Sequence, residues 1–162
     1  MKNIVSMISM GAILLSAGFM TTVSAQQTHV MAELKQATWG PAPPILPPGA
    51  QIAVLAGDPT KAAAYAIRLK FPANYAIPAH SHPTDENVVV VSGAVTFGMG
   101  DKLSKGASNT TLPVGGYALM PAHMNHFAYT TQESTILLYG QGPVEFKYVN
   151  PSDDPRSKSS GH

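Results

Sequence analysis

The sequence predicts an all-β fold, and three observations carry that prediction. Gly and Pro, 14 of each in 162 residues, interrupt the chain too often for long helices. Between these breaks, apolar and polar residues alternate in short runs, the period of a half-buried strand. The chain is also 44% hydrophobic, enough for one core, while 162 residues are too few for two ordinary domains. A single β domain is expected.

The first segment is of another kind. Lys2 gives a positive start, Ile4 to Met20 carries no charge, and Val23 and Ala25 stand at −3 and −1 of a cleavage site. Residues 1–25 therefore read as a secretory signal peptide, which leaves a mature chain that starts at Gln26 in the periplasm or outside the cell. A retained membrane anchor is the alternative, but the small-residue exit site favours export. Gln26 is not cysteine, so nothing marks a lipoprotein, and no membrane attachment is expected after cleavage.

Residues 26–50 form a proline-rich arm, "QQTHVMAELKQATWGPAPPILPPGA", whose prolines block helix and central strand alike. Trp39, Ile45 and Leu46 give it apolar side chains to lay against the domain or a neighbouring subunit. Strand signals then run from Gln51 to Val149. "AYAIRLK" sets Tyr65, Ile67 and Leu69 on one face; "AVTFGM" does so with Val95, Phe97 and Met99; "PVEFKYV" with Val144, Phe146 and Tyr148. "NVVVVSG" is continuous valine, which suits a strand buried on both faces and closed by a turn at Ser92-Gly93. "DKLSKGASNTT" is a polar loop, and residues 150–162 are too polar to pack and are expected to fray.

Charge and cysteine content narrow the function classes. Without Lys2 the basic and acidic residues balance, with no basic block, so nucleic acid is a poor candidate partner. Zero cysteine excludes disulfides and thiolate chemistry. An exported fold of this size is then held by its core, a metal or an oligomer interface, and a homodimer is the expected assembly.

The densest chemistry lies in "HSHPTDE". On a strand His80 and His82 point the same way, about 7 Å apart along the chain and within reach of one ion. Pro83 and Thr84 break the strand, and a short turn returns Glu86 to the same face. Such a cage is incomplete, and "PAHMNHF" offers His123 and His126 to finish it. Asp85 reads as a turn residue or an acceptor for a ligand imidazole, and Tyr75, Tyr117 and Tyr129 as packing.

Two spacings place these residues in a known pattern. His80-x-His82-x3-Glu86-x6-Gly93 resembles the first motif of the cupin superfamily, and Gly115-x5-Pro121-x4-His126 most of the second. The resemblance covers residues 51–149. It implies a double-stranded β-helix, or jelly-roll barrel, with one divalent transition metal (Mn, Fe, Co, Ni, Cu or Zn) on His80, His82, Glu86 and His126. Three positions depart from the pattern: Asn74 and His123 stand where the family has glycine, and Thr130 where it has asparagine. His123 is left as a proton-transfer group at the pocket mouth, a structural or surface histidine, or a further ligand.

Cupins include dioxygenases, isomerases, lyases, decarboxylases, sensory domains and storage proteins, so fold alone selects none of them. Val88 stands where some cupin lyases carry tyrosine, and the valine run leaves few acid-base groups beside the metal. The expected function is an exported metalloenzyme with dioxygenase-like chemistry on a small oxygenated organic substrate, in which His123 or Glu86 takes the proton. A non-catalytic cupin that binds a metal or small ligand is the alternative.

Overall fold

The computed structural model of the protein describes residues 29–33 and 37–158. The expected signal peptide and the cleavage site lie outside the described residues. Eleven strands follow in chain order: β1 (Gly40–Pro41), β2 (Gln51–Ala56), β3 (Ala64–Phe71), β4 (Ala76–Ser81), β5 (Glu86–Ser92), β6 (Ala94–Met99), β7 (Thr110–Pro113), β8 (Tyr117–Met120), β9 (His126–Tyr129), β10 (Ser134–Gln141) and β11 (Lys147–Tyr148). Every pairing is antiparallel. One sheet has the order β1-β2-β3-β10-β5-β8 and the other β11-β4-β9-β6-β7, the jelly-roll barrel the motifs implied. Among the described residues no helix is long and apolar enough to cross a membrane.

The core forms because each strand turns one alternate row inward. Ile67 and Leu69 of β3, Val88 and Val90 of β5, and Ile136 and Leu138 of β10 meet Ile77, Val95, Phe97 and Ala128 of the facing sheet. Two strands differ from expectation. Of the four β5 valines Val88 and Val90 are buried and Val89 and Val91 half-buried, because among the described residues no layer of helices covers the outer face of this sheet. In β6 Met99 keeps the inward row and pairs with His126, but it ends the strand and remains 53% exposed.

Turn chemistry explains the motif glycines and the departures from them. Gly93, between β5 and β6, has φ 72°, and a Cβ there would fall 2.4 Å from the Glu133 carbonyl oxygen. Asn74 and His123 also have positive φ, 58° and 64°, so both replace glycine at left-handed turns. Thr130 is buried; its hydroxyl donates to the Pro72 carbonyl at 2.9 Å and accepts from the Tyr75 N–H at 3.2 Å, which ties the end of β9 to the β3–β4 turn.

The arm packs on its own barrel. β1 pairs with β2, Leu46 is buried, and the ammonium of Lys70 sits 4.5 Å from the centre of the Trp39 ring. Two tyrosines clamp it: Tyr148 donates its hydroxyl to the Ile45 carbonyl at 2.7 Å, and Tyr75 donates to the Pro47 carbonyl. The tail also differs from expectation. Asn150 caps a 3₁₀ turn at Pro151–Asp153, and a helical turn follows at Pro155–Lys158. Arg156 bridges Asp154 (2.7 Å) to the Phe146 carbonyl (2.9 Å), a clasp that polarity alone does not reveal.

The arm clamp is open to test. Tyr148→Phe strands the Ile45 carbonyl and is expected to lower unfolding free energy by about 1–3 kcal/mol. Hydrogen exchange should quicken first at the Ala42 amide, which donates to the Ala50 carbonyl at 3.0 Å.

Candidate metal centre

Two neighbouring strands, and the residue just past the end of one, deliver the histidines. His80 lies near the end of β4, His82 follows two positions later on the same side, and His126 opens β9 directly opposite His80 in the β4–β9 register. Register therefore does what sequence distance hides. All three are at most 5% exposed, and one nitrogen from each lies within 4.8 Å of the other two.

The backbone fixes how each ring is presented. Nδ1 of His80 meets the Pro78 carbonyl at 2.6 Å, Nδ1 of His82 the Glu145 carbonyl at 2.7 Å, and Nδ1 of His126 the Met124 carbonyl at 3.0 Å. A carbonyl only accepts, so each Nδ1 carries the hydrogen and each Nε2 is left with a bare lone pair. Nε2 of His82 is buried without a hydrogen-bond partner. An orphaned acceptor in a dry interior is costly unless something outside the protein satisfies it.

Electrostatics agree with that geometry. Burial holds His80 well below its ordinary 6.5, with its two neighbours adding to the effect, and burial likewise lowers His82 and His126. Neutral imidazoles are the ligand form. Glu86, at the start of β5, is buried and pushed up to about 7 by desolvation, with His126 opposing the shift. Its Oε1 stands 3.4 Å from Nε2 of His82, at the edge of the histidine triad. Since the carboxyl is raised and the imidazole lowered, this approach joins two neutral groups below neutrality rather than an ion pair. Three imidazoles with a carboxyl at their edge fit one borderline divalent ion, and without sulfur they do not choose among Mn, Fe, Co, Ni, Cu and Zn.

A cavity of about 20 Å³ adjoins the triad, walled by His80, Glu86, His126, Val88, Ile136 and Phe146 among others. That is the room of a single water. Phe146 is the residue the sequence did not single out: its ring stacks on His80 at 4.4 Å and 20°, and stands edge-on to His82 at 4.6 Å. Alternation in "PVEFKYV" placed it inward, but only the β11–β4 pairing shows what it faces. Tyr65 was likewise read as core, and Glu86 adds to the burial that keeps its hydroxyl protonated.

His123 is where expectation and structure part. The side chain is exposed and does not line the cavity at the triad, because the left-handed turn at this position carries it outward while its N–H donates to the His82 carbonyl at 2.8 Å. The three histidines that come together are His80, His82 and His126, and His123 is not among them. Asp85 is a turn residue of specific use: its Oδ1 accepts the Ala122 N–H at 2.8 Å, which fastens the first motif's turn to the second's.

In fold the protein is similar to the polyketide cyclase RemF from Streptomyces resistomycificus, at 14% identity over 82% of this chain and 94% of that one, with a TM-score of 0.60. An RmlC-like cupin from Shewanella frigidimarina gives 16% identity over 71% and 92%, with a TM-score of 0.54. The anti-sigma factor ChrR of Rhodobacter sphaeroides, in its complex with SigE, gives 18% over 67% and 51%, with a TM-score of 0.50. No curated protein matches the chain. These identities show the fold alone, but residues 27–145 match the ChrR cupin-like domain throughout, and the chain belongs to that family of cupins.

Proposed function

We propose that the protein is an exported metal-binding cupin, periplasmic or secreted and homodimeric. In it His80, His82, His126 and Glu86 hold one divalent transition metal for dioxygenase-like oxidation of a small oxygenated organic substrate. The observation that carries it is the convergence of three buried, neutral imidazoles, with Nε2 of His82 left without a partner. Bound there, such an ion supplies Lewis acidity and open positions for oxygen ligands. The chain supplies the rest. Its three Nδ1–carbonyl bonds keep the rings oriented, and Val88, Ile136 and Phe146 keep bulk water away. Glu86 takes or holds the proton at its carboxylate, since His123 is exposed and does not line the cavity.

One observation favours the alternative, a non-catalytic cupin that binds a metal or small ligand: the cavity at the triad, about 20 Å³, has room for an ion or a water but not for a substrate. Catalysis therefore requires Phe146 or a neighbouring wall to give way.

Oxygen consumption by protein loaded separately with Mn, Fe, Co, Ni, Cu or Zn, against diketones, catechols and flavonols, separates the two. Uptake with one metal supports the dioxygenase-like reading; binding without uptake by any metal form supports the binding module. Intact mass of exported protein should begin at Gln26, and a mass that retains residues 1–25 refutes the export proposal.

Metal uptake has a predicted pH signature. Below neutrality Glu86 is protonated in the metal-free protein, so binding displaces that proton, whereas the histidines, lowered below 6.5, are already neutral. Calorimetry in buffers of different ionisation heat should then find most of one proton released at about pH 6.5 and almost none at about pH 8.5, with affinity falling towards tenfold per unit of pH below neutrality. Glu86→Gln should abolish the release, and the double change His80→Ala, His82→Ala should abolish uptake itself.

A further inference from the structure

A second cavity, of about 170 Å³, lies between the arm and the barrel. Ile45 and Leu46 of the arm close one side, Ile52 of β2 and Val144 another, and Leu69, Leu138 and Phe146 the third. The last three also wall the small cavity at the triad, so they form a partition between the two spaces. The pocket is not a gap left by loose chain: the clamp of Tyr148 on the Ile45 carbonyl, at 2.7 Å, and the bond from the Val144 N–H to the Pro59 carbonyl, at 2.7 Å, hold its sides in place.

Its lining asks for nothing polar. Thr60 has the one side-chain hydroxyl on these walls, and that hydroxyl already donates to Asp58 at 2.7 Å. A water here finds no partners, and a polar ligand would lose its hydration without replacement. An apolar cavity of roughly 150 Å³ holds one benzene molecule, so the volume suits a single ring. Phe146 gives such a ring an aromatic neighbour in the wall.

We propose that this pocket beneath the arm is a binding site for a compact apolar group, a single aromatic ring of benzene or toluene size, held by the arm against the barrel and parted from the histidine triad by Phe146. A ligand seated there presses on the ring that stacks against His80, which places the apolar part of a larger molecule within one side chain's thickness of the triad.

The test is a titration of the full chain with toluene, read by methyl NMR, in the metal-free and the zinc-loaded protein. Saturable shifts centred on the methyl groups of Ile45, Leu46, Ile52, Leu138 and Val144 are expected in both. Val144→Phe fills the pocket and should weaken toluene at least tenfold while zinc uptake is unchanged; Ile52→Phe fills it from the opposite wall and serves if the first variant does not fold. Shifts that never saturate, or that persist undiminished in a folded filled variant, overturn the proposal. Loss of zinc uptake with toluene binding intact would refute the metal centre instead, so the two failures are distinguishable.

Discussion

Three imidazoles share a dry space in which none can be charged at low cost, and the rest of the site follows from that. Each ring must be neutral, each must have its hydrogen on a chosen nitrogen, and that hydrogen must have an acceptor. The barrel meets all three conditions with main-chain carbonyls of Pro78, Glu145 and Met124 rather than side chains. Carbonyls are fixed by strand pairing, so the orientation of the rings is a property of the sheet. Glu86, stripped of water in the same space, accordingly rises towards neutrality, with His126 opposing the shift.

The two motif turns are one unit held by one side-chain and one main-chain bond. Asp85 reaches across to the Ala122 N–H, and the N–H of His123 reaches back to the carbonyl of His82. Histidine at 123 keeps the left-handed turn that this exchange needs, at the steric cost glycine avoids. The position thus matters to the site through its backbone while its ring lies outside.

How far the sequence disclosed this differs from residue to residue. His80, His82 and Glu86 were legible because they are local: period two on a strand and a turn after Pro83 determine which way they face. His126 needed the family's second motif, since its place opposite His80 is a matter of register between strands far apart in the chain. The role of His123 was left open, because a positive φ at that position is invisible in a residue type that rarely adopts it. Phe146 read correctly as inward but not as the partner of His80. The folded tail was missed for a simple reason: "NPSDDPRSK" is polar, yet the Asn150 cap and the Arg156 clasp stabilise it through hydrogen bonds rather than burial.

The clamp between Tyr148 and Ile45 also orders events in time. It joins residues 103 positions apart, near the two ends of the described fold. A contact of that span closes a longer loop than any strand pairing of the barrel, and its C-terminal partner is the later of the two to be synthesised. The arm, synthesised early, must wait beside an unfinished barrel until β11 docks. The compartment it roofs is therefore the last to be completed in folding and the first to open when the C-terminal strand detaches.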